Sequence, residues 1–440
     1  MAVNMGNQRA SLTHCTIHRV GAQANVLVSA HYALATSTCY DKLLKEAVYS
    51  AIRSIIAVCP ELSLIGVPEL LAETGRHTLH LAALYEIDLE TCVEFLDDEA
   101  PMVKPEWKTV ILGKQEVVFV FHYLICDGRF GYIFYCQFLT TINSFNEQSK
   151  PCSRIIKIDP ERVKLSKEME EFWNSSASAL RLIHIFMLLF TSLLKPKPHA
   201  KPAMAKAGPE HHTKTRIATF RIAASRMHRI LAACREHNTT FTPLLIVITL
   251  CTLACDYYPK AKIGISNCAI DMRSLYPFGM ESIKSGKFLQ YSSGTSKFTW
   301  LDRYRCLGQE YRVSINKAFE GTQPPLAATF RAANSVSDDL EGMLSSNFPA
   351  LGLHLKNSIQ VSNLGAFSTG DQGGRWKIED ISFSASAVNG NISYNIAFNV
   401  AGVEGGDDTV ICASYEDGIL TKEMVSGILE AALEKMEAIL

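Results

Sequence analysis

Residues 195–214, KPKPHAKPAMAKAGPEHHTK, constrain the fold more than any other stretch. Proline, lysine and alanine dominate, no apolar period runs through them, and such a composition predicts an exposed, mobile linker. His211 and His212 fall inside it and are read as solvated. On each side the chain alternates helix-like and strand-like patterns. The division predicts two α/β lobes, 1–194 and 215–440, joined by 195–214, with a cleft or tunnel between them.

The first half opens with a helical spacing at 40–57, where Leu43, Leu44, Val48, Ile52, Ile55 and Ile56 share a broad face and Pro60 stops the run. Strand-like runs follow at 77–86, 107–112 and 116–125, and a helical pattern at 129–144. Residues 179–194, ALRLIHIFMLLFTSLL, fall short of the ~20 apolar residues of a membrane span and carry Arg181 and His184. They predict a helix packed between the lobes, with an amphipathic membrane-surface contact as the alternative, and no stable insertion.

The second half repeats the alternation. A helix is expected at 223–237. Thr242 and Pro243 mark the start of another, and the apolar run that follows predicts a helix buried on all sides. Strands are expected at 262–271, 290–299, 356–364, 376–387, 392–400 and 408–415. The closing helix, 421–439, places Val425, Ile428, Leu429, Ala432, Leu433 and Met436 inward.

Composition narrows the function classes. The chain has 440 residues, of which 48% are hydrophobic, enough for sizeable cores. Lysine and arginine number 43 against 44 acidic residues, so nothing draws the chain to nucleic acid or an anionic membrane. The 13 cysteines are odd in number and form no CxxC pair, and Cys251, Cys255 and Cys268 lie in apolar runs. That usage predicts reduced, buried thiols in the cytoplasm. The polar N-terminus has no apolar signal-peptide core. There is no metal-ligand spacing and no glycine-rich phosphate loop, so neither a bound metal nor a nucleotide cofactor is expected.

Chemistry concentrates at 119–134, FVFHYLICDGRFGYIF, where an apolar strand runs into a loop holding His122, Tyr123, Asp127 and Gly128, with a helix directly after. The segment resembles the HHxxxDG signature of peptide-synthetase condensation domains and of the fungal alcohol acetyltransferase family. Further stretches carry the same resemblance: TPLLIVITLCTLA at 242–254, AIDMR at 269–273, IQVSNLGAF at 359–367, and the C-terminal strand pair and helix. The resemblance implies two chloramphenicol-acetyltransferase-like lobes, each a mixed sheet with flanking helices. It also implies that the second histidine of the motif deprotonates an acceptor that attacks a thioester carbonyl, and that the aspartate is structural.

Counting back from Asp127 and Gly128, the structural first histidine falls on His122 and the catalytic second on Tyr123. The resemblance pairs Asp127 with Arg273, in the segment that also holds Asp271. If the strand continues, residues 117, 119, 121 and 123 share a face and His122 points to the other, unless a bulge re-aims it. His122 is thus a structural residue or a displaced general base. With a reference pKa of ~10, Tyr123 is a poor base; its hydroxyl can donate to a carbonyl or oxyanion, or its ring can simply pack. Ser362 and Asn363 are candidate substrate contacts, with a turn-capping role for Asn363 before Gly365 as the alternative.

Three functions follow. The first is acyl transfer from acyl-CoA or an acyl carrier-protein thioester to a small hydrophobic alcohol or amine in specialised metabolism, by a monomer that holds no cofactor. The second is cyclisation or isomerisation of a bound hydrophobic molecule, with acyl transfer lost. The third is a non-catalytic binding protein.

Overall fold

Val26, Val28, Ala30 and Tyr32 are completely buried and the residues between them are not, the alternation of a strand with one face on a core. That strand anchors the first of two large sheets. The computed structural model describes residues 2–6, 25–35, 42–71, 76–96, 107–123, 125–146, 153–163, 215–261, 263–271, 289–297, 357–368, 373–386 and 394–438. The expected linker, the 179–194 helix and Arg273 lie outside these residues.

The first half contributes β1 (Ala2–Gly6), β2 (Val26–Leu34), α1 (Lys45–Val58), β3 (Leu64–Leu71), β4 (Arg76–Leu84), β5 (Glu86–Asp88), β6 (Val93–Leu96), β7 (Trp107–Leu112), β8 (Glu116–Phe121), α2 (Gly128–Ser144) and β9 (Ile155–Lys157). The second half contributes β10 (Thr215–Ala223), α3 (Ala224–Glu236), α4 (Phe241–Thr252), β11 (Ile263–Asp271), β12 (Leu289–Lys297), β13 (Asn357–Phe367), β14 (Trp376–Ala385), β15 (Tyr394–Val403), β16 (Asp408–Glu416) and α5 (Lys422–Ala438). The architecture is mixed α/β, with two mixed sheets and flanking helices.

The N-terminal sheet has the order β14-β2-β8-β7-β6, and the C-terminal sheet β10-β16-β15-β13-β11-β12. Helices α1 and α2 pack with the inner residues of β2, β8 and β14 in one apolar core, built around Phe119, Phe130, Phe134 and Phe138. Phe119 and Phe134 stack with ring centroids 4.0 Å apart. Helices α3, α4 and α5 cover one face of the C-terminal sheet in a second core. Ten of the twelve α4 residues are buried, as its apolar run predicts, and all six inward positions expected for α5 are buried.

One strand crosses between the halves. Trp376–Ala385 follows the C-terminal strand β13 in sequence, yet pairs antiparallel with β2 over Trp376↔Leu34 to Ala385↔Val26. Ile378, Ile381 and Phe383 complete the N-terminal core. Sequence periodicity found β14 but not its destination, and it missed β2, β3 and β10. In β10, the pattern TRIATFRIA buries only Ala218 and Ile222, too sparse a signal for an edge strand. Among the described residues no single helix is long and apolar enough to cross a membrane; α3 with the extended α4 passes on length and composition only as a pair bent by 96°.

Candidate functional site

The site begins where β8 ends. The strand stops at Phe121, four residues short of the expected 125, because the Ile125 N–H bonds back to the His122 carbonyl at 3.2 Å and closes a turn. The alternation that set His122 against Tyr123 therefore ends before it reaches either of them. Both are 5% exposed, and Tyr123 belongs to the same apolar cluster as Phe119, Phe121 and Ile125. No bulge is needed to bring His122 into the turn.

Asp127 then starts α2. Its Oδ1 accepts the Phe130 N–H at 3.1 Å, satisfying one of the free donors of the first turn, and the residue is fully buried. Gly128 is closely packed: a Cβ there would lie 3.0 Å from Phe383 Cζ and 3.2 Å from Leu364 Cδ2, so these side chains would have to give by a few tenths of an ångström. One turn on, a Cβ at Gly131 would lie 2.6 Å from Val28 Cγ2. The helix backbone thus presses onto β2, the crossing strand β14 and the end of β13 together.

Two side chains of α2 latch that last element. Arg129 Nη1 donates to Leu364 O at 3.1 Å, and Tyr132 Oη donates to Gly365 O at 2.7 Å. The Arg129 guanidinium also lies 5.2 Å from the Tyr132 ring centroid. Burial pushes the Tyr132 phenol well above its ordinary range, so it stays protonated and a donor. Behind it, the Tyr135 hydroxyl sits 2.5 Å from Val28 O and 2.7 Å from Val117 O and accepts the Phe119 N–H at 3.1 Å. The motif helix is thereby tied to both strands beneath it.

The VSNLG segment meets the motif at this latch. Asn363 Oδ1 accepts the Gly365 N–H at 2.8 Å, and its Nδ2 donates to Thr242 Oγ1 on α4 at 3.0 Å. Gly365 has φ +76°, a conformation that favours glycine. The Asn363 amide therefore holds the turn with protein partners at both ends. Ser362, one residue earlier, is buried, and by alternation faces away from Ile359 and Val361, which pack under the helices.

That second face of the C-terminal sheet is polar. Ser362 is in register with Asn399, and Gln360 with Ala397; Asn399 lies opposite Cys412 and Ala397 opposite Ser414. Asn399 Nδ2 donates to Ala397 O, Cys412 O and Ser414 Oγ at 3.2–3.3 Å. Ser384 of β14 reaches this face, its Oγ 3.5 Å from Ser414 Oγ. The polar face is thus turned towards the N-terminal sheet. Sequence reading singled out His122, Tyr123, Asp127, Gly128, Ser362 and Asn363, and missed Arg129, Tyr132, Gln360 and Asn399. Alternation within IAFNV does set Asn399 apart from Ile396, Phe398 and Val400, but burial on both faces is a tertiary fact. Among the described residues no three His, Cys, Asp or Glu side chains converge as a metal group would require.

The fold has counterparts among solved structures. Trichothecene 15-O-acetyltransferase from Fusarium sporotrichioides superposes with a TM-score of 0.67 at 12% identity, over 98% of this chain and 93% of that one. The epimerization domain from the third module of tyrocidine synthetase B gives 0.63 at 12% identity, over 100% and 96%. A starter condensation domain of rhizomide synthetase, solved with C8-CoA and Leu-SNAC, gives 0.61 at 11% identity, over 100% and 94%. At such identities the likeness establishes the fold, a two-lobed acyltransferase and condensation-domain architecture. No curated protein matches the chain by sequence. The alcohol acetyltransferase family model matches residues 97–433, a span that includes the His122–Gly128 turn, the α2 latch and the VSNLG segment. By that match the chain belongs to the alcohol acetyltransferase family.

Proposed function

We propose that this protein transfers an acyl group from a thioester, carried by CoA or by a carrier protein, to the hydroxyl or amine of a small hydrophobic molecule of specialised metabolism. It would work as a cytoplasmic monomer without a bound cofactor. The observation that carries the reading is the buried His122–Gly128 turn, latched by α2 onto the VSNLG segment within a family-wide match. The rhizomide synthetase domain held with C8-CoA supports the donor class.

In this reading His122 is the base. Imidazole titrates near neutral pH and takes the acceptor proton as the acceptor oxygen or nitrogen bonds to the thioester carbonyl carbon. The Tyr123 hydroxyl donates to the oxyanion that forms. Collapse breaks the carbon–sulfur bond, and the leaving thiolate receives the proton from the imidazolium. Asp127 pairs with Arg273 and holds the turn, while Ser362 and Asn363 line the acceptor side.

A second reading is favoured by Tyr123 itself, which stands where the family motif has its catalytic histidine. Here the cleft binds a hydrophobic molecule and promotes cyclisation or isomerisation by restraint and hydrogen bonding, without a donor. Likeness to an epimerization domain supports a fold that hosts more than one chemistry. Wild type, His122→Ala and Tyr123→Phe should be assayed on candidate acceptors with and without acyl-CoA. Acyl transfer predicts CoA release that falls by roughly 10²–10⁴ in His122→Ala. Turnover without a thioester, weakened in Tyr123→Phe, would replace it with the second reading. Ligand binding with no turnover in either arm would leave a binding protein.

A further inference from the structure

The polar face of the C-terminal sheet carries hydrogen-bonding capacity that the protein does not use. Asn399 is 1% exposed, and its Oδ1 has no hydrogen-bond partner. The orientation of its amide is fixed, because Nδ2 points at two backbone carbonyls that an oxygen would repel. The free acceptor therefore lies on the opposite side of the amide from those two carbonyls. On the neighbouring strand β13, Ser362 stands in register with Asn399 and Gln360 with Ala397, at the ~4.8 Å spacing of paired strands. Both are more than nine-tenths buried. Native interiors pair nearly all such groups, so the unpartnered Asn399 Oδ1, flanked on this face by buried Ser362 and Gln360, points to a polar group supplied from outside.

We propose that Gln360, Ser362 and Asn399 form a polar subsite that seats one end of an otherwise hydrophobic substrate. The seated group is a hydroxyl or amide with a hydrogen to give to Asn399 Oδ1, distinct from the group that reacts at the His122 turn. The subsite rests on the reading that small molecules bind against this face. It adds that the substrate carries a second polar function, and that the subsite discriminates by donor capacity: an ether or ester at that end leaves Oδ1 unpaired.

The test is binding, not turnover. Dissociation constants of 1,8-octanediol and of 1,8-dimethoxyoctane, which differ only in donor hydrogens replaced by methyl, are measured by calorimetry on wild type and on Asn399→Leu. The expected result is at least tenfold tighter binding of the diol by wild type, and a preference at least severalfold smaller in Asn399→Leu. Loss of the three Nδ2 bonds can prevent Asn399→Leu from folding. Gln360→Leu and Ser362→Ala leave those bonds in place and should each weaken diol binding severalfold while leaving the ether unchanged. Equal binding by wild type, meaning that ordered water alone fills the subsite, overturns the proposal, as does a preference that survives all three variants or no binding of either probe. A failed acyl-transfer reading shows itself elsewhere, as absent CoA release, and leaves this preference measurable.

Discussion

At Gly131 the helix and strand leave no room for a methyl group. Gly131→Ala places a Cβ 2.6 Å from Val28 Cγ2, and Val28 is a β-branched side chain in a buried strand that cannot turn aside. Overpacking costs about 1–3 kcal/mol, part of which the better helix propensity of alanine offsets; a lower melting temperature than wild type is expected. Asp127→Ala removes the cap on Phe130 N and should cost at least ~1 kcal/mol, read as a lower denaturant midpoint whether or not activity survives. Burial pushes Cys268 and Cys251 up to about 12 and Cys234 to about 11. Because these thiol pKa values are raised in the folded state, the stability they contribute is complete below the unfolded thiol pKa of ~8.5 and is lost as pH rises towards the folded values. Urea midpoints should therefore fall between about pH 8.5 and 11, less steeply in Cys268→Ala. Asp127 and Gly128 were singled out by the motif, but the cap on Phe130 and the close packing that the structure gives them were not read from it. The relation of His122 to Tyr123 was not legible either: it depended on where β8 stops, and a backbone turn at His122–Ile125 has no residue signature of its own.

Helix α2 acts as the fastening between the motif turn and β13. Its two latching bonds, from Arg129 and Tyr132, reach carbonyls more than 230 residues away in sequence. Tyr132→Phe removes one and leaves the carbonyl of exposed Gly365 to water, which should cost about 1 kcal/mol. If the latch positions the turn, turnover falls with it while the affinity for acyl-CoA changes little, as a comparison of kcat and KM would show. Element identities were readable where amphipathic period and length agreed, as in α1, α2 and α5. They failed for β2 and β10, where short alternating runs of small and polar residues carry a weak signal. The latch itself left no trace, since an arginine and a tyrosine on a helix face read as ordinary surface.

At the scale of the whole molecule, β14 stitches the two large sheets together. The expected boundary at 195–214 lies outside the described residues; Trp376, Ile378, Ile381 and Phe383 of the second half belong by contact to the first core. A 215–440 fragment made alone should aggregate through that unpartnered strand and become recoverable when co-expressed with 1–194. Two lobes were evident from the repeated alternation, whereas a strand exchanged between them is a choice of pairing that local pattern does not encode. The exchange also sets a clock. About 340 residues separate β2 from the strand that closes its edge. At ~5–20 residues per second, the ribosome takes roughly 20–70 s to supply it. For that interval every nascent copy presents an open, apolar sheet edge, and the cell must shield it.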